Sequence, residues 1–250
     1  GSNEVVSSTT KKQEANSEVS VPTSFTSIAY YDYVTSGTIG DEDCTITVTR
    51  SFKAGVVHAL TDLSNAKAYT IRCDRGAFLT NGETIASTSH ATLHAAEPGE
   101  FAVISYEDNY YIYSVADKKF VLNTGSLSEL PTHGICDAIQ MSAQTDPYFL
   151  FTYKIDETTT YGVNTNGTGA LNGCVINSWV TPDPGNQYYM IESADFDATA
   201  ALAALEAYFH PSCFVTYVVK DNAGNPIFTS EEEPAIMGAT ITTLPAEFQH

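Results

Sequence analysis

Basic residues are scarce in this chain. Lys and Arg number 11 against 30 Asp and Glu in 250 residues, a formal net charge of -19. Nucleic-acid affinity rests on Lys and Arg displacing counterions, so this balance excludes unaided binding to phosphate backbones. Anionic membrane surfaces are disfavoured for the same reason. Charge of either sign is thin, since charged residues make up 16% of the chain against ~25% in ordinary soluble domains. Ser, Thr, Asn and Gly therefore cover much of the surface. No apolar run approaches the ~20 residues that cross a bilayer, which argues against an integral membrane protein. The start of the chain lacks the basic region and apolar stretch of a signal peptide. There is no GxSxG, no HExxH and no glycine-rich phosphate loop. Catalysis and a cofactor are accordingly not expected.

Cysteine is sparse too. Cys44, Cys73, Cys136, Cys174 and Cys213 are odd in number and widely spaced, with no CxxC pair, so they read as free thiols that pack mostly as small hydrophobes. His90 and His94 lie four apart, the spacing of two metal ligands on a helix. Their Ser/Thr-rich setting favours strand or loop and no third ligand is nearby, so no metal site is expected. Asp41-Glu42-Asp43 and Glu231-Glu232-Glu233 read as solvated loop charges. The first lacks the alternating spacing and central Gly of a calcium loop.

What the chain has in quantity is aromatic and β-branched residues, punctuated by turn residues every 8–12 positions or so, the pattern of an all-β protein. Residues 1–24 are Ser/Thr/Glu/Lys-rich and cannot bury enough surface to offset ordering entropy, so they read as a disordered tether, with Gly1-Ser2 as a processing scar. Residues 25–58 hold two strands, Ile28 to Val34 and Cys44 to Thr49, and form an N-terminal β segment. One helix is expected within 196–210. Asp197 caps it, Leu202, Leu205 and Phe209 share a face, and Pro211 stops it. Residues 211–250 read as a partial β module: Phe214 to Val219 and Ile227 to Thr229 form a hairpin turned by Asp221 to Asn225. The run from Leu244 to His250 reads as a boundary or the start of another module.

Between these flanks lies an internal repeat. Phe101-Ala102-Val103-Ile104, Tyr148-Phe149-Leu150-Phe151 and Tyr188-Tyr189-Met190-Ile191 are three aromatic-led strands, their leading aromatics 47 and then 40 residues apart and each preceded by a Pro-containing turn. Each unit opens with another aromatic strand: Ala68 to Ile71, Tyr110 to Tyr113 and Thr160 to Val163. A propeller needs at least ~4 such units to close and a β-trefoil needs three. Three are present, so residues 59–195 are expected to form a β-trefoil. In such a fold Phe101, Tyr148, Gln187 and Tyr188 would chiefly pack the core.

The third unit resembles the ricin-type β-trefoil lectin repeat. The residues that carry the resemblance are Val163-Asn164, Asn172-Gly173, Val175-Ile176-Asn177-Ser178-Trp179 and Asn186-Gln187-Tyr188. The resemblance implies a sugar site in which Trp179, the one Trp of the chain, stacks on the pyranose face. Asn177 and Asn186 would be rim amides, with Gln187 orienting the closing motif. Asn164 stands where the family has Asp, exchanging a charge-assisted acceptor for a neutral one. One aromatic ring for the C–H face and planar amides for the hydroxyl rim match the chemistry of a sugar. In the second unit Asn123 and Gln140 take comparable places, but Ser142 stands where an aromatic is needed. The first unit, with Arg75-Gly76-Ala77-Phe78-Leu79, carries no sugar set.

The flanks resemble secreted multidomain proteins of gut bacteria, in which a trefoil is followed by a helix and a small β module. Val215-Thr216-Tyr217, Asp221 to Gly224 and Leu244-Pro245 carry that likeness. The expectation is a non-catalytic carbohydrate-binding module of a larger secreted or surface protein, working beside other modules of its parent chain. The alternative is a structural or protein-interaction spacer with no sugar site.

Overall fold

The computed structural model describes residues 8–85, 88–94, 96–131, 134, 139–140, 146–165, 174–179 and 183–237. The described chain is mostly β with one α-helix. Near its start, β1 (Tyr31–Ser36) and β2 (Thr47–Phe52) pair antiparallel from Tyr31↔Phe52 to Ser36↔Thr47. A two-stranded ribbon is marginal by itself in water, and this one leans on a larger sheet.

That sheet system has thirteen strands. They run β3 (Lys67–Cys73), β4 (Phe78–Ile85), β5 (Thr88–His94), β6 (Phe101–Tyr106), β7 (Asn109–Ser114), β8 (Lys119–Val121) and β9 (Leu127–Ser128). β10 (Ile139–Gln140), β11 (Phe149–Leu150), β12 (Thr152–Lys154), β13 (Thr160–Thr165), β14 (Cys174–Trp179) and β15 (Gln187–Asp195) complete the set. β3 is the hub. Its start pairs with β6, its end with β4, and its whole length with β15, from Tyr188↔Cys73 to Asp195↔Lys67. The first and last strands of the system therefore lie side by side.

Alternation explains the two most apolar strands. In β6, Phe101 and Val103 face the main core while Ala102 and Ile104 face a second cluster. In β15, Tyr188 and Met190 face the main core while Tyr189 and partly buried Ile191 face a third. A strand buried on both sides reads as a continuous apolar run rather than an alternating one. The third cluster is where the N-terminal ribbon docks. Tyr30 meets Tyr189 edge-on at 5.0 Å between ring centroids and Tyr148 at 5.7 Å. Backbone bonds stitch the join: Val57 N–H donates to Met190 O (3.0 Å) and Glu192 N–H to Gly55 O (2.9 Å).

Phe101 and Tyr188 are buried in the main core as expected from their place in the repeat. Tyr148 is not their counterpart. It is half-buried in the third cluster, and Phe149 takes the inward place, directly opposite Tyr188 in the β11–β15 register. Adjacent aromatics leave a period-two pattern undecided by one residue, and the strand partner decides it.

The second cluster is covered by α1 (Thr199–Phe209). Asp197 Oδ1 accepts from the Thr199 N–H (3.0 Å) and hydroxyl (2.6 Å), bracing the first turn from just outside it. The buried stripe is Ala198, Ala201 and Leu205, at spacings of three and four. Leu202 is partly buried and Phe209 is 40% exposed, so the expected face is rotated. Phe209 instead stacks over Tyr106, 6.0 Å between centroids.

Beyond the helix the expected single hairpin is divided in two. β16 (Ser212–Val215) pairs with β19 (Glu233–Ile236), and β17 (Val218–Lys220) with β18 (Pro226–Thr229). The break falls at Tyr217, whose N–H donates to Ser230 Oγ (3.0 Å) and whose carbonyl accepts from Ser230 N–H (2.9 Å). The tight turn holds, with Asp221 Oδ1 accepting from Ala223 and Asn225 N–H, both at 2.8 Å. Leu244-Pro245 lies outside the described residues.

Candidate functional site

The β13–β14 hairpin sets the geometry of the third-unit residues. Its register places Gly162 opposite Trp179, Val163 opposite Ser178, Asn164 opposite Asn177 and Thr165 opposite Ile176. Side chains alternate across a strand, so Val163 and Ile176 enter the main core. Gly162, Asn164 and Trp179 then share the opposite face. Trp179 is 49% exposed there. The Asn177 side chain lies outside the described residues.

The two other asparagines are spent inside the protein. Asn164 is 4% exposed and its Nδ2 donates to Asp183 Oδ1 at 3.0 Å. Asn186 is fully buried and its Oδ1 accepts from Asp183 N–H at 2.8 Å. Two glycines make this possible. A β-carbon at Gly162 would overlap the Asn186 amide, and one at Gly185 would overlap Asn164 Oδ1. Gln187 is half-buried at the start of β15, opposite Leu150, and its carbonyl accepts from Asp74 N–H at 2.9 Å.

Asp183 is the centre of the arrangement. Besides Asn164 Nδ2, its Oδ1 accepts from Gly185 N–H at 2.5 Å and pairs with Arg75 Nη2 at 3.7 Å. Arg75 also donates from Nη1 to Thr165 O at 3.2 Å, and Thr165 N–H donates to Gly185 O at 2.9 Å. The β3–β4 turn, the end of β13 and the Asp183-Pro184-Gly185-Asn186 turn are thus tied together. Sequence reasoning missed Asp183 and assigned Arg75 no role. The one available signal for Asp183 was its place at the head of an Asp-Pro-Gly-Asn turn, where a carboxylate accepts from the backbone N–H two residues on.

Other chemistry is dispersed. His58 Nδ1 lies 3.0 Å from both carboxylate oxygens of Asp146. Burial, then a hydrogen bond to Asp74, pushes the Tyr148 hydroxyl far above its ordinary pKa, and Arg72 Nη1 donates to Tyr189 OH at 3.2 Å. The His58–Asp146 pair ties the end of the N-terminal segment to the loop before β11. His90 and His94 both lie on β5, a strand, and His94 pairs with Glu97 at 3.7 Å. Among the described residues no group of three His, Cys, Asp or Glu is placed to hold a metal ion. Cys44, Cys73 and Cys213 are free thiols; Cys44 is exposed, against the expectation of burial. Cys136, Ser142 and the side chains of Cys174, Gln140 and His90 lie outside the described residues. No described helix is long and apolar enough to cross a membrane.

No family model matches the chain, and no curated protein sequence does. Among solved structures it is similar to a salivary protein from Culex quiquefasciatus of the Cysteine and Tryptophan-Rich family, at 13% identity over 52% of this chain and 99% of that one, with a TM-score of 0.39. The designed three-fold symmetric protein ThreeFoil aligns at 7% identity over 50% of this chain and 99% of its own, TM-score 0.37. Cry35Ab1 aligns at 15% identity over 54% of this chain and 38% of its own, TM-score 0.34. At such TM-scores neither fold nor activity transfers from any of them.

Proposed function

We propose that the chain is a non-catalytic, lectin-like carbohydrate-binding module on a ricin-type β-trefoil, part of a larger secreted or surface protein of bacterial origin. Its ligand is a glycan, bound at the third unit, and its other partners are modules of the same parent chain. The observation that carries the reading is Trp179, a large ring left half-exposed on a hairpin face whose neighbouring polar groups are rigidly fixed. An exposed aromatic beside ordered polar groups suits the C–H face and hydroxyl rim of a pyranose.

Packing of all three units around one void supports the trefoil. A core void of about 10 Å³ is lined by the pair Ile71 and Leu79 of the first unit, the pair Ile112 and Val121 of the second, and the pair Phe151 and Val163 together with Ile176 and Tyr188 of the third. An asparagine follows the second member of each pair within two residues, at Asn81, Asn123 and Asn164. In this register the third unit opens at Phe151, and the strand holding Tyr161 is its second. The void is far too small for a ligand, for which pockets run to roughly 300 Å³ or more, so binding belongs at the surface.

The spacer reading draws on a specific observation as well, because Asn164 and Asn186 are buried and engaged. Titration of wild type and Trp179→Ala against a panel of immobilised glycans separates the two. The lectin reading expects wild-type binding and a loss of about tenfold or more in the variant, the scale of one well-packed aromatic anchor. Absence of wild-type binding favours the spacer; equal binding by the variant moves the site elsewhere.

A further inference from the structure

A cluster of aromatic rings sits at the C-terminal end of α1, against the β6–β7 turn. Phe209 stacks on Tyr106, 6.0 Å between centroids and 22° between planes, and meets Tyr208 edge-on at 4.9 Å. The rings are packed on one another, yet Tyr208 is 39% exposed and Phe209 40%. Two carboxylates are fixed into the same cluster. Tyr106 OH donates to Glu206 Oε2 at 2.6 Å, and His210 Nε2 lies 2.5 Å from Glu107 Oε1. Glu206 is thus bonded to the ring on which Phe209 stacks, and Glu107 to the residue that follows Phe209. These contacts occupy one oxygen of each, and a carboxylate has about four acceptor sites in all.

The charge of this surface has one sign. Every charged residue in 101–114 and 196–219, His210 apart, is acidic. The last turn of α1, where the helix dipole is negative, carries no basic side chain. Glu107 and Asp108 also hold φ of 46° and 60°, the two positive values of a hairpin turn that Asn-Gly fills without strain. The turn therefore presents acidic side chains where a neutral pair would fold more easily.

We infer that Tyr106, Tyr208 and Phe209, with Glu107 and Glu206, form a docking surface for an arginine-bearing segment of a partner protein. None of these residues belongs to the Trp179 hairpin, so this surface stands or falls independently of glycan binding. Charge complementarity selects the occupant. A second copy of this chain would bring a further net charge of -19 and is repelled. A cation is drawn by the aromatic rings, by the carboxylates and by the helix end. Of the two basic side chains Arg fits better, because its planar guanidinium stacks on a ring while its N–H fork pairs with a carboxylate. Rings and carboxylates already held in place lose little freedom on binding.

The test uses the full chain and fluorescence anisotropy with three labelled Gly/Ser peptides, carrying three Arg, three Lys or three Glu. The Arg peptide should bind about threefold or more tighter than the Lys peptide, the Glu peptide should not bind, and added salt should weaken binding. Glu107→Gln combined with Glu206→Gln should lower affinity for the Arg peptide about tenfold. Tyr208→Ala, which removes the outermost ring, should lower it about threefold. Asp41→Asn combined with Asp43→Asn removes the same charge from the exposed β1–β2 connection and should have far less effect. Thermal melts of each variant separate loss of fold from loss of binding, and the peptide series on wild type needs no variant. Absence of binding by the Arg peptide, equal binding of the Arg and Lys peptides, or equal losses in the two double variants overturns the assignment. A wild-type dimer in sedimentation that Tyr208→Ala dissociates overturns it as well, giving the surface to a second copy.

Discussion

Asn186 lies directly against the α-carbon of Gly162, so that a β-carbon at 162 would overlap its amide. Gly162 is held in the β13–β14 ladder opposite Trp179, and Asn186 is fully buried with its Oδ1 bonded to Asp183 N–H. Neither partner can retreat without breaking a hydrogen bond. Gly162→Ala should therefore destabilise the protein by about 1–3 kcal/mol, the range of overpacked sites. At roughly 2–4 °C per kcal/mol for a chain of this size, thermal unfolding should register a fall of several degrees. Gly40→Ala is the control, because nothing lies within 4 Å of the place its β-carbon would take. A Gly162→Ala melt that matches the Gly40→Ala melt would show that the Asn186 turn yields freely.

How much of this was legible in the sequence depends on the range of the interaction. Aromatic-led strands announced Phe101 and Tyr188 as core residues, because burial on both faces writes itself as an unbroken apolar run. The same logic failed at Tyr148-Phe149, where two neighbouring aromatics are equivalent until the strand opposite Tyr188 is known. Trp179 and Asn164 were found because they lie close in sequence and on one hairpin. Arg75 was given no role in the site because its bond to Thr165 spans 90 residues. Asp183 was missed because nothing local reveals which of 30 acidic residues accepts from Asn164, 19 positions away.

The helix supplies the second prediction. Small residues carry little hydrophobic signal, so periodicity favours Leu202, Leu205 and Phe209, whereas the docked stripe runs through Ala198, Ala201 and Leu205. Leu205 is fully buried against Ile104, Tyr111, Tyr113 and Phe120 in this cluster, and Leu202 only partly. Leu205→Ala should cost about 2–5 kcal/mol, the range for a buried leucine truncated in a packed core. Leu202→Ala should cost clearly less. Denaturant titration of both variants checks the order. Equal losses would mean that the helix docks through the face that carries Leu202, Leu205 and Phe209.

The last prediction concerns pH. His210 caps the C-terminal end of the helix, and its Nε2 lies 2.5 Å from Glu107 Oε1 in the β6–β7 turn. The hydrogen bond to Glu107 raises the His210 pKa above its ordinary value, burial opposes the rise, and the charges of Glu107 and Glu206 add to it. Beside it, Tyr106 donates to Glu206 Oε2 at 2.6 Å, and that bond pushes the tyrosine up to about 12, so it stays neutral throughout the range in which histidine titrates. A histidine whose pKa is higher folded than unfolded adds stability that is fully present below its unfolded value of about 6.5. That stability is lost as pH rises through the higher folded value. Wild type should therefore melt above Glu107→Gln at about pH 6, and the gap should close as the solution is made alkaline. Because the pair is solvent-exposed the gap will be small and should shrink with added salt. A gap that persists unchanged into the alkaline range would mean that Glu107 holds the turn by some means other than the protonated histidine.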